Sequence, residues 1–347
     1  MQENTRLVFF DNLKFVLITL VVVGHFIGLL MDDSMVLKAV WRWIYMFHMP
    51  AFIFVGGVFA KKLFSQEKGL RVDTIAFYII MGVVFYVSLW VFSHLYDENP
   101  GFNLFRVGSI PWYFFAMGAL GLSTPVLANL RWGWKLAVPA AVLLGVIAGF
   151  SKDFNDFLCL GRIATYAPFY FAGYYLDGRR FAGWIAERRR SVAWVTLSLV
   201  FLVLLFVAMY KLPTNIVSTM SGIATGHNSY EAMKAFPSEI DALFRVVDYA
   251  IATVMILVVS ILTPQRECFI SNLGQRTLQV YITHPFIYYF VSGFGLMRPL
   301  VSYLPWSGFA VIVVSIALAI VLALPQTPGR LLGKMRKLIR IDVHDVP

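Results

Sequence analysis

Charge is scarce in this chain: Asp, Glu, Lys and Arg together make up 14% of 347 residues, roughly half the share of an ordinary soluble domain. A water-soluble fold of this size has too little polar surface here to cover its core. Cysteine is scarcer still, with only Cys159 and Cys268 present. They fall on opposite sides of the membrane in the topology derived below, so they cannot pair, and no cysteine-based metal site is supported. Acidic residues are in deficit, 19 against 29 Lys and Arg, for a net charge of +10. The basic residues lie in short loops and in the tail, with no aromatic-interleaved basic stripe, which argues against nucleic acid as a partner.

What the chain has is apolar length. Hydrophobic residues reach 59% and aromatics 16%, as expected where helix sides face lipid and helix ends sit among headgroups. A helix needs about 20 apolar residues to cross the hydrocarbon core. Ten such stretches occur, near 13–31, 41–60, 75–95, 111–128, 136–150, 163–177, 191–210, 247–264, 277–296 and 308–325, separated by charged or Pro/Gly-rich breaks. The expected fold is all-α, a polytopic integral membrane protein of about ten transmembrane helices, forming a single domain over 1–347 in a plasma membrane.

Orientation follows from the tendency of Lys and Arg to stay in the cytoplasm. With the N-terminus inside, 20 of the 29 basic residues are cytoplasmic, while Asp32, Asp33, Asp97, Glu98, Asp153, Asp156, Glu231, Glu239 and Asp241 are all external. An even number of spans then puts both termini in the cytoplasm. The first helix, flanked by Arg6 and Lys14 and followed by no small-residue cleavage site, is expected to be retained. The external connection 211–246 is long enough for a lid or binding surface as well as for a plain linker. The tail 326–347 carries Arg330, Lys334, Arg336, Lys337 and Arg340 among apolar residues and suits the anionic inner leaflet.

Ionisable side chains are costly in hydrocarbon, so those inside a span are candidates for function. Three histidines qualify: His25, His48 and His284. Counted from the cytoplasmic helix ends, all three lie near mid-membrane. Lys14 and His25 are eleven residues apart, close to three helical turns, and share one face of the first helix. Asp11 can pair with Lys14 three residues on. The structural alternatives are a snorkelling Lys14, a capping Asp11 and a histidine that bonds two helices together.

The run RLVFFDNLKFVLITLVVVGH (6–25) resembles the opening of the acyltransferase family 3 membrane proteins, especially the fucose 4-O-acetylase branch. The resemblance continues through FHMPAFIFVGGVF (47–59), PWYFFAM (111–117), YAPFYFAGYYL (166–176) and NLGQRTLQVYITHPF (272–286). It implies transfer of a short acyl group, commonly acetyl from acetyl-CoA, to a carbohydrate hydroxyl, with the first-helix histidine, here His25, essential. Many relatives carry Arg where this chain has Lys14, which keeps the charge and loses the planar fork. A basic pair of the first cytoplasmic loop is matched by Lys68 and Arg71. The extra esterase-like domain of some relatives is not expected, since about twenty residues follow the last span.

A neutral imidazole can take the proton of a sugar hydroxyl as it attacks the thioester, which is the role expected of His25. The developing oxyanion needs a donor, for which Trp112, Tyr113, His48 and His284 are candidates; Trp112 and Tyr113 also suit an interfacial anchor. The phosphates of CoA would meet Lys14, Lys61, Lys62, Lys68 and Arg71. No metal and no tightly bound cofactor is expected, only an acyl-CoA co-substrate, a glycan acceptor and the bilayer. The rival reading is a secondary transporter or flippase-like protein, for which intramembrane histidines and broken helices serve equally well; no inverted repeat supports it.

Overall fold

The computed structural model describes residues 7–107, 110–302, 307–324 and 327–339. Arg6, Gln326, Arg340 and both chain ends, whose side of the membrane was read from sequence, lie outside the described residues. The protein is an all-α membrane protein whose only extended piece, among the described residues, is a short antiparallel pair, β1 (Phe64–Ser65) with β2 (Gly69–Leu70).

The N-terminal half runs α1 (Val8–Gly28), α2 (Met35–Tyr45), α3 (His48–Phe59), α4 (Val72–Ser93), α5 (Trp112–Leu122), α6 (Thr124–Asn129), α7 (Trp134–Ala148), α8 (Lys152–Asp156) and α9 (Leu160–Tyr175). It continues with α10 (Gly178–Arg190), α11 (Val192–Lys211), α12 (Thr214–Ala224), α13 (Tyr230–Met233), α14 (Ser238–Leu262), α15 (Phe269–Gly274), α16 (Thr277–Gly293), α17 (Met297–Ser302), α18 (Ser307–Ala323) and α19 (Thr327–Leu338). Five stretches among the described residues are long and apolar enough to cross a bilayer: α1, the run Met35–Leu63, α4, α11 and α14. The other apolar stretches form shorter helices. The expected 111–128 span breaks at Ser123, just ahead of Pro125, into α5 and α6, because proline removes a backbone donor. The expected 41–60 span turns at Met46 and Phe47, so that His48 opens a new helix rather than standing inside one.

Lipid is the surrounding solvent, as α11 makes plain: Val192, Leu197, Val203 and Leu204 are all more than half exposed, an arrangement water would penalise. Helix α1 stands at the opposite extreme, inside the bundle, with both of its flanks buried. It begins at Val8, five residues before the expected start, because Asn12 belongs to the helix and is fixed by tertiary bonds. Its amide donates to Pro264 O at 2.8 Å and Arg266 O at 3.0 Å, and it accepts from Ser271 Oγ at 2.6 Å. Gly274 lets α15 come so close that a Cβ there would lie 1.9 Å from Asp11 O. Because α1 ends at Gly28 rather than at the expected residue 31, His25 stands in its last turn rather than at mid-span.

Helices α3 and α9 cross on small residues. A Cβ on Gly57 would lie 2.1 Å from Tyr170 O, and one on Gly173 would lie 2.2 Å from Phe54 O. Close backbone approach of this kind supplies the dispersion contacts that hold helices together where no hydrophobic effect acts between them. The crossing sets the spacing between His48, at the head of α3, and the first turn of α9.

The connection 211–246, expected to be external, is folded rather than slack. Val217, Ile223 and Ala224 of α12 are buried, and the guanidinium of Arg42 on α2 donates to Ser218 Oγ at 2.8 Å. The segment's helix α12 packs on α14 and α2.

Candidate active site

One face of α1 is the wall on which the site is built. Residues 14, 18, 21, 25 and 28 recur at spacings of four and three, the period that keeps side chains on one helical stripe. Lys14, Ile18 and Val21 line one cavity, and Val21, His25 and Gly28 line a second. The two cavities, of about 250 Å³ and 330 Å³, share Val21, Met49 and Tyr281 as a common wall. Lys14 and His25 therefore stand in two adjoining cavities on one helical stripe.

The first cavity is apolar, enclosed by Phe52, Val55, Phe59, Met117 and Leu278, with Lys14 as its charged residue. Lys14 Nζ lies 2.8 Å from Asp11 Oδ1, a partly exposed pair that contributes up to about 1 kcal/mol. Asp11 holds the lysine and lines neither cavity. Lys61 and Lys62 flank the rim, since their neighbours Ala60 and Leu63 are part of the lining. Lys61 Nζ donates to Leu176 O at 3.3 Å, and Lys62 Nζ lies 5.8 Å from the Phe59 ring centre. Lys68 sits in the hairpin turn, its amide bonded to Ser65 Oγ. Arg71 pairs with Asp73 at 2.8 Å. Of the five expected CoA-binding residues, Lys14 is the one that lines either of these two cavities.

The second cavity is a chamber of aromatic and nitrogenous side chains. His25 is half-buried in its wall, its ring 5.3 Å from that of His284 and 5.3 Å from that of Tyr288, edge to face in both cases. His284 and His48 are tied alike. Nδ1 of His284 is 2.8 Å from Val280 O and Nδ1 of His48 is 2.9 Å from Ile44 O. A carbonyl oxygen only accepts, so both imidazoles donate from Nδ1 and carry their lone pair on Nε2. Nε2 of His284 is buried with no hydrogen-bond partner among the described residues, which costs stability unless it is used.

Trp112 and Tyr113, neighbours in sequence, serve different cavities. Trp112 lines the chamber and Tyr113 the apolar cavity. Trp112 stacks on Tyr166 at 5.4 Å, and the guanidinium of Arg162 lies 5.0 Å from the Trp112 ring centre. Tyr281, in the dividing wall, donates its hydroxyl to Ile110 O and packs on Tyr113 at 5.4 Å.

Sequence reasoning missed Arg162, Tyr45, Tyr166, Tyr281, Tyr288 and Tyr289, all of which line the chamber. Arg162 is the most consequential. Leu158 and Cys159 hold left-handed backbone at φ 46° and 52°, a conformation that costs non-glycine residues of order 1–2 kcal/mol each. The sharp turn starts α9 at Leu160, so that Arg162 stands inside the helix rather than in a loop ahead of it. Strained backbone beside a cavity-lining cation was the available signal, and sequence alone does not reveal it. Thr225, from the folded segment 211–246, closes the same wall, with Gly226 packed on Thr165 and on the backbone of Arg162.

Fold and site together define an all-α membrane protein with a chamber lined by His25 and His48 that adjoins an apolar cavity carrying one cation. The chain belongs to acyltransferase family 3: its acyltransferase domain matches residues 7–324. Among curated proteins the chain is similar to nodulation protein NolL of Sinorhizobium fredii, with 31% identity over 178 residues, 46% of this chain and 48% of that protein. It is also similar to nodulation protein NolL of Mesorhizobium japonicum, with 28% identity over 158 residues, 43% of this chain and 38% of that protein. The similarity thus spans less than half the length of either relative. No solved structure matches the chain.

Proposed function

We propose that this protein is a membrane O-acyltransferase that moves an acetyl or similarly short acyl group from acyl-CoA to a hydroxyl of a carbohydrate. The observation that carries the reading is the shared wall of Val21, Met49 and Tyr281, which joins an apolar cavity ending at Lys14 to the chamber that holds His25. An apolar bore accepts the pantetheine arm and acyl group, and a cation at its far end accepts phosphate. In the proposed topology of about ten crossings the Lys14 end faces the cytoplasm, where acyl-CoA is made, and the chamber faces the other side.

At the chamber, the acceptor O–H gives its proton to His25 as its oxygen attacks the thioester carbonyl. A C–O bond forms and the carbonyl oxygen becomes an oxyanion. Arg162, held against Trp112, and the indole N–H of Trp112 are the donors placed to stabilise it. Collapse breaks the C–S bond, and the imidazolium returns its proton to the departing thiolate. No net proton is released. His284, with its Nδ1 fixed on Val280 and its ring against His25, positions the base.

The test is acyl transfer by purified protein in nanodiscs, with radiolabelled acetyl-CoA and a panel of sugars, alongside mass spectrometry of surface glycans from cells with and without the gene. Ester formation that depends on His25 supports the reading. Movement of an unmodified substrate across the bilayer, with no thiol released, overturns it in favour of transport.

A further inference from the structure

A third cavity, of about 270 Å³, lies beyond the chamber and is lined by Tyr86, Trp90, Tyr96, Arg106 and Tyr289. Tyr289 lines the chamber as well, so the two spaces share a wall. The cleft is built rather than incidental. Trp90 Nε1 donates to Pro100 O at 3.0 Å. Tyr86 Oη accepts from Asn103 N at 2.9 Å and donates to Asn103 O at 3.2 Å. These bonds clamp the connection after α4 against the helix and hold its far end, where Arg106 stands exposed, over the opening. Tyr96 lies so close to α16 that a Cβ on Gly293 would come within 2.4 Å of its ring.

The geometry points to this cleft as a carbohydrate subsite that holds the sugar units of an acceptor chain next to the one being acylated in the chamber. The inference rests on the acyl-transfer reading. Three observations select that occupant. Tyr86, Trp90 and Tyr96 gather aromatic side chains, whose rings offer flat faces with polar tips, the surface that stacks on the C–H face of a pyranose. Arg106 adds a fork of donors suited to hydroxyl or carboxylate oxygens. Adjacency across Tyr289 supplies the third: a chamber of 330 Å³ has room for about one sugar ring beside a thioester, so the remaining units of a chain need an adjoining space. Tyr289, at the junction, is the residue that would separate the reacting sugar from the rest.

The experiment uses the full-length protein in nanodiscs with two fluorescently labelled tetrasaccharides, one neutral and one bearing a uronic acid, and the matching monosaccharides. Trp90→Ala and Arg106→Gln are the variants; Arg106 is exposed, so its replacement leaves the core intact if Trp90→Ala fails to accumulate. The wild-type protein is expected to bind at least one tetrasaccharide, and each variant to weaken that binding by about ten-fold. The KM for the tetrasaccharide should rise several-fold more than that for the monosaccharide. Equal effects on both acceptor lengths, unchanged binding in both variants, or no tetrasaccharide binding by the wild-type protein would overturn the subsite. Binding that weakens as expected, in a wild-type protein that transfers no acyl group, would leave the subsite standing and remove the acyl-transfer reading instead.

Discussion

The two cavities on the α1 stripe are similar in size, about 250 Å³ and 330 Å³, and opposite in chemistry. The Lys14 cavity is walled mainly by Phe, Val, Leu and Met with three tyrosines, Tyr78, Tyr113 and Tyr281, whereas the His25 chamber adds His25, His48, Trp41, Trp112 and Arg162. The difference separates holding from reacting. An apolar bore can keep a thioester dry and aligned but offers no imidazole to move a proton, while the chamber offers imidazoles and a guanidinium. The step between them is the narrow wall of Val21, Met49 and Tyr281.

The comparison breaks most completely at the base. His25→Ala should lower acyl transfer by about 10²–10⁴-fold, measured as ester formed per folded protein, while CoA binding persists in the untouched apolar cavity. Matched losses at His48→Ala or His284→Ala would move the base to one of those residues. The control is yield after solubilisation, since a histidine that only joins helices would fail there first.

Next in size is the packing on which both cavities rest. Gly57→Ala and Gly173→Ala each put a methyl group against backbone at the α3–α9 crossing, where neither neighbour can yield. The expected loss is about 1–3 kcal/mol of stability, seen as a lower melting temperature in detergent. An unshifted melting curve would mean that the crossing is looser than its contacts show.

The charge at the end of the apolar cavity gives a sharper contrast. Lys14→Ala should weaken CoA binding by about ten-fold and flatten its salt dependence, as expected for loss of one charge-assisted contact. Arg71→Ala should do much less, because Arg71 is already engaged by Asp73. Titration of both variants at several ionic strengths decides between a site centred on Lys14 and one spread over the whole basic rim.

The smallest effect concerns bore width. A Cβ on Gly56 would meet Met117 Cε at 2.7 Å, the flexible end of a side chain that shares the apolar lining. Gly56→Ala should therefore shift preference between acetyl-CoA and butanoyl-CoA by about two- to five-fold, below the full cost of a methylene because methionine gives way. Equal kcat/KM ratios before and after the change would place the acyl group elsewhere.

The stripe from Lys14 to His25 was legible in the sequence because a single helix carries both residues, and spacing alone puts them on one side. His48 and His284 were legible as residue types that are costly in lipid, and Trp112 as a donor or anchor at a helix end. Their convergence was not, since His25 meets His284 across 259 positions and nothing local records that meeting. Tyr113 was grouped with Trp112, yet adjacent residues on a helix point about 100° apart, and here they face different cavities. Arg162 was hidden because a charge one residue ahead of an expected span reads as a loop charge until the left-handed turn at Leu158 and Cys159 draws it into α9.

By itself the sequence determined the solvent, the class of fold and one catalytic candidate. Low charge and long apolar runs allow no water-soluble alternative, and an imidazole on an apolar helix needs a reason to be there. Tertiary structure alone decided where the helices break, that the segment 211–246 folds onto α2, and that the three cavities adjoin one another through Tyr281 and Tyr289. Cavities are the spaces between elements, so their shape depends on how small residues such as Gly57, Gly173 and Gly274 let distant helices approach, and no local pattern encodes that distance.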